Sequence, residues 1–377
     1  NWAEILTHRE SVMISGIESF EKYLVIYERE LGLKKIRIEN LENNNFHYVN
    51  FSEPVYTFNP TGNREFSTNF LRFQYNSLVT PSTIYDYDMK SKTWHIKKQQ
   101  EIIGGYDPSE YISERIFVKS EDGTDVPVSI VYKKNIEKNG KNPLYLYGYG
   151  SYGISMDPTF FSYRLSLLNR GFIYAIAHIR GGGEMGKIWH ENGKLLKKKN
   201  TFIDFISSAK YLIEKKYTSP EHLIAHGRSA GGILAGAIAN MSPNLFKIIL
   251  SDVPFVDVLN TMLDSSLPLT ITEYEEWGDP NKKEFYDYIK SYSPYENVTN
   301  QKYPNMFFTA GFHDPRVGYW EACKFIAKLR AMKKDNNLLL LKINMGAGHK
   351  GYSNRYDELK EIALSYSFIF KIMNINE

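Results

Sequence analysis

The spacing of apolar and polar residues divides the chain into two parts. In residues 1 to about 103, short runs of strand length occur at Tyr23–Glu28 and at Lys35–Ile38, where charged and apolar residues alternate, and about sixty residues further on at Thr83–Asp88 and Thr93–Lys97. Such runs, joined by turns, predict antiparallel β-strands. Their recurrence indicates propeller blades. There is room for about two blades of ~40–50 residues, fewer than the roughly four that a closed propeller needs.

The pattern changes after the turn-rich segment Gly104–Pro108. A β-hairpin is predicted at Ser113–Val118 and Val126–Tyr132, and apolar runs of strand length then alternate with helical stretches. The predicted strands are Leu144–Tyr147, Ile173–Ala177, Leu223–Ala225, Ile248–Ser251, Met306–Ala310 and Leu338–Ile343, and the helices include Phe202–Lys215, Gly232–Met241 and Trp320–Met332. This alternation predicts a mostly parallel sheet covered on both faces. We therefore predict an α/β fold class, with a β-domain at residues 1–103 and a second domain at 104–377.

Composition excludes several classes of function. The chain has 377 residues, of which 42% are hydrophobic and 24% are charged, and its formal net charge is +3, which is ordinary for a soluble globular protein. Short basic runs such as Lys197–Lys199 fit a solvated surface better than a nucleic-acid site. No apolar run reaches the ~18 residues of a membrane span. Neither nucleic acid nor a membrane is therefore expected as a partner.

The single cysteine and the N-terminal residues bear on the compartment. Cys323 has no partner for an internal disulfide, which favours a reducing compartment, and it lies in a predicted amphipathic helix, where a buried structural thiol is expected. The opening Asn1–Leu6 shows no basic region followed by an apolar stretch, so no signal peptide is expected. A cytoplasmic location is predicted. No His, Cys and acidic cluster has ligand spacing, so neither a metal nor a cofactor is expected.

The segment around Ser229 carries the clearest chemical motif. An apolar run, Leu223–His226, leads into Gly-Arg-Ser-Ala-Gly, and a helical stretch begins at Gly232. A G-x-S-x-G motif between a strand and a helix forms a sharp turn that exposes the serine hydroxyl, and the flanking glycines avoid a Cβ clash. The N–H of Ala230 then lies at a helix start, where it can donate to an oxyanion. Ser229 is therefore the predicted nucleophile.

The general base and its acid are expected in the order Ser, acid, His. His349 lies in the glycine-rich segment Met345–Gly351, directly after a predicted strand, and is the candidate base. Asp314 follows the strand before it and is the first candidate for the acid. Asp252 also ends a strand and is the runner-up. The other aspartates in this part of the chain are Asp257, Asp264, Asp279, Asp287 and Asp335.

Two glycine-rich segments, Gly148–Gly153 and Gly181–Gly186, fit the G-x-G-x-x-G pattern of dinucleotide-binding loops. Asp157-Pro158 interrupts the helix that should follow the first segment. No acid for a ribose follows the second at the end of a further strand. Both segments are better explained as loops that bring backbone close to a substrate.

Several motifs in sequence order give the chain a family resemblance. Residues from about 104 to 377 resemble the hydrolase domain of the prolyl oligopeptidase family, in particular its oligopeptidase B (protease II) members, which cleave short peptides after Arg or Lys. The resemblance rests on Leu146–Gly153, His178–Glu184, Gly227–Gly232, Glu273–Gly278, His313–Val317 and Gly346–His349. It implies an α/β-hydrolase domain preceded by the last blades of a seven-bladed β-propeller.

The resemblance also implies roles for individual residues. It makes Ser229, Asp314 and His349 the catalytic triad, which selects Asp314 over Asp252. It makes the Tyr149 hydroxyl an oxyanion-hole donor beside the Ala230 N–H. Arg316 would bind a substrate carbonyl near the second subsite, and Tyr152 would line the primary pocket.

Substrate choice is expected to depend on Glu273 and Glu275. Where prolyl-specific relatives carry an aromatic residue that stacks on proline, this chain has Glu273, so the resemblance implies a carboxylate pair that binds the guanidinium or ammonium group of a basic residue. The predicted substrates are short peptides with Arg or Lys before the scissile bond. Relatives often carry a second acid two residues after Asp157, where this chain has Thr159, and the preference at the second subsite is left open.

The resemblance further implies that the chain lacks the front of the propeller and a hydrolase segment that precedes it. We therefore expect an N-terminally truncated chain that is weakly active or inactive in isolation and requires the missing propeller segment. Two alternatives to the Arg/Lys oligopeptidase remain. One is an inactive remnant of such a peptidase, and the other is an esterase or acyl-peptide hydrolase on the same fold.

Overall fold

The computed structural model describes residues 4–352 and 354–375. The expectation of no signal peptide falls partly on residues 1–3, which lie outside the described residues. Among the described residues, no helix is long and apolar enough to cross a membrane.

The first hundred residues form two four-stranded antiparallel sheets in the form of propeller blades. The first sheet contains β1 (Val12–Ser19), β2 (Tyr23–Glu30), β3 (Leu33–Asn40) and β4 (Phe46–Tyr48), and the second contains β5 (Tyr56–Pro60), β6 (Phe70–Ser77), β7 (Thr83–Asp88) and β8 (Thr93–Gln99). The two hairpins recognised in the sequence are not equivalent, because β2–β3 is the central hairpin of its sheet and β7–β8 is the last of its own.

A mixed eight-stranded sheet follows, and its strand order is β16-β15-β14-β13-β11-β12-β10-β9. Its strands are β9 (Tyr111–Lys119), β10 (Asp125–Lys133), β11 (Leu144–Tyr147), β12 (Ile173–Ala177), β13 (Leu223–Arg228), β14 (Ile248–Asp252), β15 (Asn305–Gly311) and β16 (Leu339–Asn344). The hairpin β9–β10 is antiparallel, and β11 to β16 pair in parallel. Parallel strands are covered on both faces, which explains their nearly continuous apolar runs.

Helices cover both faces of this sheet. They are α1 (Leu165–Leu168), α2 (Lys187–Glu191), α3 (Lys199–Glu214), α4 (Gly231–Met241), α5 (Val258–Leu263), α6 (Tyr274–Trp277), α7 (Lys283–Lys290), α8 (Tyr319–Met332) and α9 (Arg355–Met373). The main apolar core packs α3, α4 and α8 against one face, and α9 packs on the other. The C-terminal ends of the parallel strands meet at one edge, where loops from β11, β13, β15 and β16 come together.

Direct contacts connect the blade-like sheets to the large sheet. Asp157, in the loop after β11, forms ion pairs with Arg29 at 2.9 Å and Lys34 at 2.7 Å. It also accepts a hydrogen bond from Thr57. A small apolar cluster that includes Val55 and Leu168 joins the same parts. The predicted division at residues 103 and 104 stays a prediction, since these contacts do not define a boundary.

Candidate active site

Ser229 occupies a sharp turn between β13 and α4. Its backbone is left-handed, with φ of +57°, which is unfavourable for a residue with a side chain and must be held by its surroundings. The Ser229 N–H donates to the carbonyl of Asp252 at 2.9 Å, and the Ser229 carbonyl accepts from Phe255. A Cβ on Gly227 would lie 2.0 Å from the Gly231 carbonyl oxygen. The glycine at position 227 is therefore required by the tightness of the turn.

The structure brings Ser229, His349 and Asp314 together in one hydrogen-bond chain. Ser229 Oγ lies 2.8 Å from His349 Nε2, and His349 Nδ1 lies 2.7 Å from Asp314 Oδ2. The three residues follow β13, β15 and β16, whose C-terminal ends are at the same edge of the sheet. This is the arrangement in which a histidine can take the serine proton while an acid holds its ring in the required tautomer.

Asp314 is placed to remain ionised. Its side chain is only 1% exposed, and burial alone would raise the pKa of its carboxyl group. Hydrogen bonds from His349 and from the backbone N–H groups of Val317 and Arg316 outweigh burial and hold the pKa below its ordinary value. The carboxylate can therefore stabilise the imidazolium that forms when His349 accepts a proton.

Asp252, the runner-up acid, belongs to a different pair. Asp252 Oδ2 lies 2.9 Å from His226 Nε2, and Asp252 Oδ1 accepts from Thr309 at 2.7 Å. Its side chain is 34% exposed, and these bonds and the charge of Arg228 lower its pKa to about 2. Its partner His226 in turn contacts the hydroxyl of Tyr145. This second histidine–aspartate pair lies beneath the nucleophile turn and does not contact His349.

Two candidate oxyanion donors flank Ser229. Ala230 is buried and directly precedes α4. Tyr149 follows β11, the strand beside β13, and its hydroxyl is close enough to Ser229 for that residue to lower the pKa of Tyr149 against the effect of burial. Burial raises the pKa of Tyr149, and the charges of Glu273 and Glu276 act in the same direction, so its hydroxyl stays protonated and able to donate.

Replacing Tyr149 with phenylalanine tests this assignment. The variant keeps the ring but removes the O–H donor, and loss of one oxyanion donor lowers kcat by about 10²- to 10³-fold. We expect a loss of that size in kcat, with KM nearly unchanged, for hydrolysis of a chromogenic amide. Tyr147→Phe, which changes a neighbouring tyrosine of β11, serves as the control. A Tyr149→Phe enzyme with wild-type kcat would exclude Tyr149 from the oxyanion hole.

The two glycine-rich segments pack against each other. A Cβ on Gly181 would lie 2.1 Å from the carbonyl oxygen of Gly150, and a Cβ on Gly183 would lie 2.2 Å from that of Gly153. Both G-x-G-x-x-G matches are thus explained by close backbone packing that supports the loop carrying Tyr149.

Glu273 and Tyr152 contact each other next to this loop, at the position of the predicted primary pocket. Glu273 Oε2 accepts hydrogen bonds from the Tyr152 hydroxyl at 2.7 Å and from Trp277 Nε1 at 2.9 Å. Both donors are neutral, and Glu273 forms no salt bridge with any described residue. The carboxylate therefore retains an uncompensated negative charge, which suits a guanidinium or ammonium ligand.

The second carboxylate near Tyr152 is not the one predicted. Glu275 is exposed on α6, so the expectation that it enters the pocket with Glu273 is corrected by the structure. Glu276 is buried instead and accepts the backbone N–H of Tyr152 at 2.9 Å. In a short helix, Glu273 and Glu276 are three positions apart and face the same side, whereas Glu275 faces solvent.

Arg316, the remaining predicted binding residue, is exposed beside the triad. Its backbone N–H donates to Asp314 at 2.8 Å, and its charge is close enough to lower the pKa of Tyr149 against the effect of burial. The exposed guanidinium is thus near Tyr149, and its predicted contact with a substrate carbonyl stays a prediction.

A cavity of about 550 Å³ lies behind the nucleophile turn rather than in front of it. Its lining includes Tyr145, His226, Asp252 and Tyr366 but not Ser229 or Glu273, so it is separate from the candidate substrate pocket. Within residues 4–352 and 354–375, no group of three or more His, Cys, Asp or Glu side chains could hold a metal ion.

Comparison with known proteins gives matches along the whole chain. The model of the prolyl oligopeptidase family matches residues 158–376, and the model of the prolyl oligopeptidase N-terminal β-propeller domain matches residues 1–100. The predicted fold class, an α/β-hydrolase domain preceded by part of a β-propeller, is confirmed.

Individual relatives agree with these matches. The chain is 45% identical over 371 residues to Protease 2 of Moraxella lacunata, which covers 98% of this chain and 54% of the relative. It is 42% identical over 376 residues to Dipeptidyl aminopeptidase BI of Pseudoxanthomonas mexicana, and this match covers 100% of the chain and 52% of the relative. The structure of oligopeptidase B from Trypanosoma brucei with covalently bound antipain superposes on this chain with a TM-score of 0.92 at 44% identity. The superposition covers 99% of this chain and 54% of the oligopeptidase B chain. The chain thus spans about half the length of the relatives it matches.

Proposed function

The chain belongs to the prolyl oligopeptidase family, and from that premise we propose that it hydrolyses short peptides on the C-terminal side of Arg or Lys. The observation that carries the proposal is the hydrogen-bond chain Ser229–His349–Asp314, together with a nearby Glu273 carboxylate that has no cationic partner among the described residues. The similarity to oligopeptidase B supports the same substrate class.

The proposed reaction proceeds through an acyl-enzyme. His349 Nε2 accepts the Ser229 proton as Oγ attacks the scissile carbonyl carbon. The Tyr149 hydroxyl and the Ala230 N–H donate to the oxyanion that forms. His349 then transfers its proton to the leaving amine, and a water molecule, deprotonated by the same nitrogen, hydrolyses the ester. Glu273 holds the basic side chain throughout and so places the carbonyl against Ser229.

Exchanging Glu273 for glutamine tests the proposed specificity. Glutamine is nearly isosteric but uncharged, so the basic side chain loses its counter-charge. Removing one partner of a desolvated charge pair costs several kcal/mol, and we expect kcat/KM for an Arg-P1 amide to fall about 10²- to 10³-fold. Hydrolysis of a matched norleucine-P1 amide should change by less than about threefold, since that substrate makes no ion pair.

Glu275→Gln is the matched control, because it removes the same charge from an exposed position two residues away. It should leave the Arg-to-norleucine ratio within about threefold of wild type. An unchanged ratio in the Glu273 variant would refute the proposed specificity.

The second subsite should show little preference for a basic residue. Asp157 is the acid expected in that region, and its carboxylate is already paired with Arg29 and Lys34. Burial would raise its pKa, but these two cations lower it, so the group is ionised and its charge is satisfied within the protein. We expect kcat/KM values for Arg-Arg and Gly-Arg amides to agree within about threefold. A ratio well above tenfold in favour of Arg-Arg would contradict this expectation.

A second candidate activity is the release of dipeptides from free N-termini. The 42% identity to Dipeptidyl aminopeptidase BI over the whole chain favours it. Paired substrates with free and acylated N-termini separate the two activities, because an aminopeptidase requires the free ammonium group and an oligopeptidase accepts the blocked peptide.

A further inference from the structure

The loop of residues 148–153 carries both functional tyrosines in a strained backbone. Tyr149 is the candidate oxyanion donor and Tyr152 is the pocket wall, three residues apart. The backbone is left-handed at Gly150, Tyr152 and Gly153, with φ of +69°, +59° and +64°. Tyr152 is the residue among these three that has a side chain, so its conformation is unfavourable and must be held by its surroundings.

Glu276 supplies one of these restraints. It is 5% exposed, and its Oε1 accepts the N–H of Tyr152 at 2.9 Å. Its Oε2 lies 2.6 Å from Nε2 of His190, whose ring would be 3.4 Å from a Cβ on Gly153. Each oxygen of the Glu276 carboxylate therefore contacts the loop itself or a residue packed against it.

Lys198 holds the loop from the other side. It is 1% exposed, and its ammonium group donates to the carbonyl of Gly150 and to the Ser151 hydroxyl. It also lies 5.0 Å from the ring centre of Trp277. Burial lowers the pKa of Lys198 to about 8, and the charge of Glu276 opposes this effect. The two buried charges therefore act on adjacent peptide groups of one loop.

We propose that Glu276 is a positioning residue that fixes Tyr149 and Tyr152 together through the Tyr152 N–H, so that one carboxylate sets both the oxyanion hole and the wall of the primary pocket. The inference rests on the proposed function of the site. Because Glu273 binds the Tyr152 hydroxyl and Glu276 binds its backbone, α6 and the residue directly before it hold this tyrosine at both ends. Loss of Glu276 should then impair transition-state stabilisation and binding of a basic group together.

The test uses two probes that report the two functions separately on the 377-residue chain. The rate at which an uncharged fluorophosphonate labels Ser229 reports the nucleophile and the oxyanion hole. The Kd of benzamidine, measured by calorimetry, reports the pocket, since its amidinium mimics a basic side chain. The variants are Glu276→Ala, Glu276→Gln, and Glu275→Ala as the exposed control on the same helix.

For Glu276→Ala we expect the labelling rate to fall about 10- to 100-fold, because the oxyanion donor is displaced. The Kd of benzamidine should rise about tenfold, because the pocket wall is released. Glu276→Gln keeps an oxygen that accepts the Tyr152 N–H, so both values should return to within about threefold of wild type. Glu275→Ala should match wild type in both probes.

Two results would overturn the inference. One is a folded Glu276→Ala variant with wild-type values for both probes, and the other is a Glu276→Gln variant as impaired as Glu276→Ala, which would assign the effect to charge rather than to position. A failure of the proposed function would look different from a failure of this inference. In that case the wild-type chain itself would show no labelling of Ser229 or no binding of benzamidine.

Discussion

Replacing Ser229 with alanine is expected to lower kcat for an Arg-P1 amide by about 10⁶-fold, the size seen when a nucleophile is removed from a serine hydrolase. The reason is geometric: Ser229 Oγ is 2.8 Å from the Nε2 atom that takes its proton, and alanine leaves no atom for the attack. Initial rates measured with a fluorogenic arginine amide check the prediction.

The control measurement is the binding of benzamidine, an unreactive ligand, to the Ser229→Ala variant. Because Glu273 and Tyr152 are untouched in Ser229→Ala, the Kd of benzamidine should remain within about twofold of wild type. Retention of more than about one per cent of the wild-type rate would contradict the assignment of Ser229 as nucleophile.

Replacing Asp314 with asparagine is expected to lower kcat by about 10⁴-fold while leaving the geometry nearly intact. Asparagine can present its amide N–H₂ to His349 Nδ1, which favours the tautomer with the proton on Nε2, and that nitrogen can then no longer accept the Ser229 proton. It also removes the charge that stabilises the imidazolium. The check is kcat for the same amide, with the labelling rate of Ser229 as a second readout.

Asp252→Asn is the control for this experiment, because it changes the same group in the second histidine–aspartate pair. Its partner is His226, so kcat should fall by less than about tenfold. Thermal stability should fall in this variant, since Asp252 contacts both His226 and Thr309 and its lowered pKa shows that the ionised form is favoured. A larger loss of kcat in Asp252→Asn than in Asp314→Asn would make Asp252 the catalytic acid.

The nucleophile turn was predictable because it is a local structure. Strand, glycines, serine and helix all lie within residues 223–241, and the tight turn that requires Gly227 is recorded in that segment alone. The parallel strands were equally predictable, since burial on both faces leaves unbroken apolar runs. Strands β7, β11 and β12 begin and end where the pattern places them.

The sequence alone did not predict which of several similar residues come into contact in the folded protein. Asp252 ends β14 and Asp314 follows the end of β15, and only packing decides which one faces His349. Glu275 and Glu276 are adjacent and chemically identical, and the direction of α6 determines which one is buried. Edge strands such as β1 and β4 were missed because their residues are largely exposed or irregular, so that apolar alternation is weak.

The most direct test of the account is reaction of the chain with an arginine-P1 diphenyl phosphonate and its norleucine-P1 analogue, followed by intact and peptide mass spectrometry. We expect a single adduct on Ser229 that forms about 10²-fold faster with the arginine compound, because Glu273 holds the basic group while His349 activates the nucleophile. No adduct, an adduct on another residue, or equal rates with the two compounds would contradict it.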